Sequence, residues 1–350
     1  MTVRSILIIG TAAALCAVLA ACAGSGETSP EIDPAPVEAG VETPTPEEGD
    51  ESGAPPDAEP SGPRWGTPVG WAAQPLEREG EMHPAVTGGA AGETVTADDA
   101  DTLAEHLAAE EPLVVEVSGR IELDGAVRVG SDKTLIAAAE ETAELVGGRL
   151  VVEEAANVVI SDLTLDADGA AVSVRGGSHH VWIDGNTLRG GGDEALISIT
   201  DGADHVTVSW NHFRDSEAAL GVGGREDGPD PMRVSVHHNL FEGVDTRNPR
   251  ARGAARAHVF NNFYRGAAGH GVESGYGAAV LVEGNYFDGV GISVTVDPEV
   301  PGSAFTRDNL LVDTGQPELF GTVDDPPYAY ELDDTADVPD IVTATAGAGR

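Results

Sequence analysis

The chain has 350 residues, with 60 acidic against 19 basic side chains and a net charge of −41. Such a surface repels phosphate backbones and excludes a nucleic-acid partner. It favours solubility and suits surroundings rich in salt or divalent cations. From the N-terminus, residues 1–22 read as a secretory signal, with Arg4 ahead of an apolar run from Ile6 to Ala21. The run is short for a membrane span. It ends in Leu19-Ala20-Ala21-Cys22, small residues followed directly by cysteine, which looks like a bacterial lipobox with Cys22 as the lipidated residue. The other cysteine, Cys16, lies inside the run and would leave with it, so no disulfide is expected in the mature chain. Residues 23–63 are Pro, Glu, Asp, Ser, Gly and Ala almost throughout. A segment this poor in large apolar groups cannot offset its ordering entropy, so it is expected to be a disordered acidic tether. Residues 64–350 remain as one folded domain.

Within that domain, Thr102–Ala109 places leucines four apart on a short amphipathic helix, ahead of an apolar strand at Leu113–Val117. A strand unit then recurs. It is seen at His180-Val-Trp-Ile-Asp-Gly-Asn186, His205-Val-Thr-Val-Ser-Trp-Asn211 and Arg233-Val-Ser-Val-His-His-Asn239. Further copies end at Asn262, Asn285 and Asn309, and Asn157–Leu165 fits in front with Leu163 in the Asn place. The intervals between the asparagines are 25, 28, 23, 23 and 24 residues. Self-similarity at a fixed period of this length signals a solenoid. Apolar residues alternate within each copy, as in a strand with one buried face. The 45 glycines suit tight turns. The fold expected is all-β, a right-handed parallel β-helix with stacked asparagines bonded along its length and the short helix capping its first coil. The tail from Pro326 onward is expected to run back over the coils.

Two constellations carry candidate chemistry. Arg247, Arg250, Arg252 and Arg256 fall within ten residues, directly after the His237-His238-Asn239 copy. Such a cluster in so acidic a chain suits a ligand with planar carboxylates. A solvated basic turn paired with neighbouring acids would look the same. Asp184, Asp193 and Glu194 supply hard oxygen ligands on successive segments, as Ca²⁺ requires, although taken alone in so acidic a chain they read more readily as a solvated face. Trp182 and Trp210 could stack on sugar or pack at a coil edge. His237 and His238 suit a hydrogen-bonded structural pair.

Taken together, Val181-Trp-Ile-Asp184, Val234-Ser-Val-His-His-Asn239 and Arg247-Asn-Pro249-Arg-Ala-Arg252, in this order, make the chain resemble the bacterial pectate lyases of the first polysaccharide-lyase family. The resemblance begins at Pro68-Val-Gly-Trp-Ala72 and runs to Pro326-Pro-Tyr328 and the tail, nearly the whole folded part. It implies a pectin lyase-like β-helix that cleaves α-1,4-galacturonan by β-elimination with Ca²⁺. It implies Arg247 as the base for the C5 proton, Arg252 on the uronate carboxylate with Arg250 beside it, and Asp184 and Glu194 at the metal, with Asp193 or a water as the substitute for an acid lost from the motif. Neighbouring cations would lower the pKa of Arg247 and give an alkaline optimum. The chain departs from the family at Ala195, at Ser198 where the last acid of the metal motif belongs, and at Ala218 where a substrate-binding lysine belongs. Gly185 stands where the family often has His. The calcium-independent pectin lyases are related, but the sequence offers no evident arginine in the metal's place. The activity expected is therefore a pectate lyase acting outside the cell as a monomer, anchored to the membrane through Cys22. The alternative is a weakened or inactive surface binder of acidic polysaccharide.

Overall fold

The computed structural model describes residues 65–349 apart from residues 140, 141, 226 and 229. The expected signal segment, Cys22 and the tether lie outside the described residues. The domain is a right-handed parallel β-helix of about nine turns. Its strands stack into three sheets of ten, nine and eight members. The first sheet runs from Glu93–Ala97 to Ser303–Arg307, the second from Gly119–Glu122 to Leu310–Val312, and the third from Ala126–Val129 to Ile292–Val296. Each coil contributes one strand to each sheet in turn, and strands from successive coils pair in parallel.

The repeat explains the coil. In His179–Asp184 and Asp204–Ser209, alternate residues Val181, Ile183, Val206 and Val208 point into the solenoid and are fully buried. The chain then turns at Asn186 or Asn211 into the second sheet. There Phe213, Phe241, Tyr264 and Phe287 stack in near-parallel rings inside the core, 4.3 to 5.0 Å between centroids. The asparagine ladder forms as expected. Asn186 Nδ2 donates to Asn211 Oδ1, Asn211 to Asn239, Asn239 to Asn262, Asn262 to Asn285 and Asn285 to Asn309, each at 2.9 to 3.0 Å. Each Oδ1 also accepts the backbone N–H of the preceding asparagine. These bonds satisfy peptide groups at a sharp corner where no strand partner can reach them. The ladder ends at Leu163, which has no side-chain amide and donates its backbone N–H to Asn186 Oδ1.

The capping helix α1 spans Ala100–Ala108, with Asp99 accepting from the Thr102 N–H as its N-cap and Leu103 and Leu107 fully buried against the first coil. The C-terminal tail does run backward over the coils. Tyr328 bonds Ser235 and His258, Tyr330 donates to Glu283, and Asp333 meets His238. A second helix, α2 (Val338–Thr345), lays Val338 and Val342 on Leu240 and Phe263. Gly347, Ala348 and Gly349 then donate to Trp210, Thr187 and Asp162 on successively earlier coils. Part of the first sheet is thus covered by the tail, and by Trp71 and Ala72, whose N–H groups donate to Ser235 and Thr207. The third sheet keeps an open groove on its outer face.

Candidate active site

Parallel register fixes what faces outward on the third sheet. Ser173, Ser198, Gly221, Arg250, Glu273 and Thr295 lie directly side by side on consecutive coils. Three small residues give a flat floor, and Gly221 keeps it open, since a Cβ there would meet nothing closer than 3.8 Å. A groove of about 430 Å³ lies over this floor, lined by Arg149, Arg175, Asp193, Glu194, Arg247 and Arg250 among others. From Arg149 to Arg250 is four coils, roughly 19 Å at about 4.8 Å per strand.

The sequence cluster of four arginines is divided by strand alternation. Arg247 precedes the two-residue strand Arg250–Ala251, in the left-handed region at φ 59°, and its Nη1 donates to the Asp193 carbonyl at 3.1 Å across the groove. Arg250 follows on the strand. Burial, then repulsion from Arg247 and Arg252, lowers its pKa to about 10. Arg252 follows two residues on and does not line the groove; its Nη2 is 3.1 Å from Glu273 Oε1 and 3.4 Å from Asp297 Oδ2. Its guanidinium and that of Arg225 both lie over the Tyr276 ring, at 5.1 and 4.9 Å. Burial opposes ionisation of Glu273, but hydrogen bonds from His270 and Arg252 outweigh it and hold its pKa below the usual value. Arg256 belongs to the strand Ala255–Phe260 of the first sheet and lines a different cavity.

The acids also separate. Asp193 and Glu194 flank the groove, and Glu194 Oε2 accepts the Ala170 N–H at 3.0 Å and meets Arg149 Nη1 at 3.8 Å. Asp184 is not with them. It ends a first-sheet strand, is 1% exposed, and accepts from Ser209 Oγ at 2.6 Å. It lines a groove on the first sheet with Trp182, Trp210 and Ser161 that shares no lining residue with the arginine groove. The expectation that Asp184 and Glu194 share one face is corrected. The corner at Asn186 and the second-sheet strand Thr187–Gly190 intervene, so the two carboxylates leave the solenoid from different sides. Trp182 is buried with its Nε1 donating to Ser209, and Trp210 stacks on His238. The His237 and His238 rings are joined through their Nδ1 atoms at 2.9 Å, a structural pair.

Against known proteins, the profile of the pectate lyase family matches residues 80–350. The chain belongs to the pectate lyase family. A pectate trisaccharide-lyase of Thermotoga maritima is 33% identical over 333 residues, covering 81% of this chain and 89% of that one. A pectate trisaccharide-lyase of Bacillus licheniformis is 27% identical, covering 77% of this chain and 85% of that one. Among solved structures, a pectate lyase of Bacillus sp. N165 in complex with trigalacturonate superposes with a TM-score of 0.69 at 25% identity, covering 81% of this chain and 99% of that one. The cedar-pollen allergen jun a 1 shares the fold, with a TM-score of 0.68 at 21% identity.

As a bacterial pectate lyase-like enzyme, the chain can be tested for the calcium that the family implies. Ca²⁺ takes six to eight oxygens at roughly 2.3–2.6 Å, several from carboxylates. Here the groove offers only Asp193 and Glu194, and Glu194 is already engaged by the Ala170 N–H and Arg149. The neighbouring coils present Ala170, Ser173, Ala195 and Ser198. Among the described residues no three of His, Cys, Asp and Glu come together to hold a metal. Four guanidiniums surround the two acids instead. This donor set does not fit a calcium ion. Ala218, in the place of the family's lysine, is 1% exposed, bridges Thr246 and brings no cation. Sequence reasoning missed Arg149 and Arg175, which lie on strands ahead of the first clear repeat. The signal was available in the period: Arg149 precedes Glu194 by 45 residues, two coils.

Proposed function

We propose that this protein cleaves α-1,4-galacturonan by β-elimination in the third-sheet groove, with Arg247 as the base. The observation that carries the reading is the arginine-lined floor. Arg247 and Arg250 stand beside a flat run of small residues, in a chain whose net charge is −41. A polyuronate laid along the sheet would meet a guanidinium at either end of the groove, and bidentate pairing suits carboxylates. In the reaction, a base takes the proton from C5, the C4–O bond breaks, and a C4=C5 double bond remains. The departing oxygen is protonated from water. The C5 proton is acidified when the adjacent carboxylate is neutralised, which Arg250 and Arg252 can do by hydrogen bonding. A guanidinium acts as base only where other cations crowd it, and Arg250 stands close enough to Arg247 for the two charges to repel.

The test is formation of the unsaturated, ultraviolet-absorbing product from polygalacturonate. Arg247→Lys should abolish turnover while leaving polymer binding; near-normal turnover would overturn the assignment of the base. A surface binder without turnover is the competing reading, favoured by Ala218 and Ser198. It requires binding with no product from the native protein at any pH. Export and anchoring through a lipid on Cys22 complete the proposal. Labelling with a radioactive fatty acid, lost in Cys22→Ser, tests it.

A further inference from the structure

Resting on the lyase reading, we infer that this groove works without a divalent cation, and that the guanidinium of Arg149 performs the carboxylate-neutralising task in its place. Four observations point the same way. First, Arg149 Nη1 is 3.8 Å from Glu194 Oε2, so the positive charge already stands against the acid best placed to bind a metal. Second, room is made for this pair. Gly169 lies beside both groups, and a Cβ there would approach Glu194 Oε2 to 2.9 Å and Arg149 Nη2 to 3.8 Å. Third, the adjacent coils line the groove with Ala170, Ser173, Ala195 and Ser198, none of which carries a carboxylate. Fourth, the Arg149 side chain is 45% exposed, and its contact with Glu194 is longer than a hydrogen bond. Arg149 lines the groove, so its guanidinium is available there to a planar carboxylate.

The chemistry is consistent. A metal supplies charge to the uronate carboxylate, and so does a fixed guanidinium, which adds direction through two parallel N–H donors. Glu194 then acts as a positioning residue. Its Oε2, held by the Ala170 N–H at 3.0 Å, keeps Arg149 over the floor. Arg175 lies on the next coil but is engaged by Glu153 at 3.0 Å, which leaves Arg149 as the freer cation at this end. With Arg247 and Arg250 at the other end, the groove holds cations on both sides of Ser198 and Gly221.

The experiment uses the mature protein in chelator-treated buffer, with polygalacturonate as the probe. Binding is read by titration calorimetry and turnover by product absorbance. Excess chelator should change both by less than twofold, and Ca²⁺ alone should give no binding heat. Arg149→Ala should weaken binding of polygalacturonate by tenfold or more, with its melting temperature as the folding control, and added Ca²⁺ should not restore it. Arg149→Lys should recover part of the affinity. The double variant Arg149→Ala, Ser198→Asp should regain affinity only when Ca²⁺ is present. Loss of binding or turnover in chelator, restored by Ca²⁺, overturns this inference and leaves the lyase reading standing. Neither binding nor turnover, with or without Ca²⁺, overturns both.

Discussion

Asn239 occupies the middle of the ladder, and its replacement measures what the ladder contributes. The side chain is fully buried. Its Oδ1 accepts the Asn211 N–H at 2.9 Å and Asn211 Nδ2 at 3.0 Å, and its Nδ2 donates to the Val208 carbonyl at 2.9 Å. Truncation to Ala leaves the Asn211 N–H and the Val208 carbonyl without their partners, away from water. The Asn211 amide keeps Ile183 and Ser209 as acceptors. Two orphaned groups at about 1–3 kcal/mol each give a loss of about 2–6 kcal/mol. Asn239→Asp removes any cavity contribution, because the shape is kept. It puts an acceptor where a donor faced Val208 and His237, so it should cost at least as much. At the exposed end of the ladder, Asn309 makes the same bonds to Asn285 and Val282 but is partly open to water. Asn309→Ala should cost about 1 kcal/mol, since water replaces the lost partners. The assay is the unfolding rate in denaturant for all three variants, with midpoints compared only where slopes agree. Equal losses for Asn239→Ala and Asn309→Ala, or less than about 1 kcal/mol for Asn239→Asp, would refute the argument that buried corner peptides are what the ladder satisfies.

With Arg247 as the base, turnover on polygalacturonate should rise from neutral toward alkaline pH; a plateau already at neutral pH would exclude an arginine base. Burial alone would raise the Glu283 carboxyl, but bonds from His258, Arg307 and Tyr330 outweigh it and lower its pKa to about 2. The depressed value means its stabilisation, about 3 kcal/mol, is present above the ordinary value near 4.5 and is lost as pH falls from there toward 2. Melting at pH 6 and pH 3 should therefore drop more in the native protein than in Glu283→Gln. Gly223 has φ 72°, and a Cβ there would approach the Arg252 carbonyl to 2.2 Å. Gly223→Ala should cost about 1–3 kcal/mol from backbone strain and displace Arg252, so both melting temperature and affinity for polygalacturonate should fall.

What the sequence disclosed followed the physics of periodicity. Stacked asparagines, alternating valines and the period near 24 residues all report one property, the burial of one strand face per coil, and the structure has them where the repeat puts them. The site was legible only in part, because its residues are neighbours across coils rather than along the chain. Arg247 and Arg250 could be named because they lie together in sequence, yet Arg256, only six residues beyond Arg250, belongs to another sheet. Asp184 and Glu194 are ten residues apart, and that spacing suggested a shared face. The corner at Asn186 carries the chain off the first sheet, so the same ten residues set the two carboxylates on opposite roles: one bonded beneath the tail, one beside a groove. Arg149 shows the converse. It is far from Glu194 in sequence and in contact with it in space, because two coils of a solenoid bring residue i to i + 45. Charge in a β-helix is therefore organised down the columns, and counting it along the chain hides it. The net −41 describes the surface as a whole. The chemistry depends on one column in which the acids are few, the floor is bare, and guanidiniums stand where a metal's carboxylates would otherwise be required.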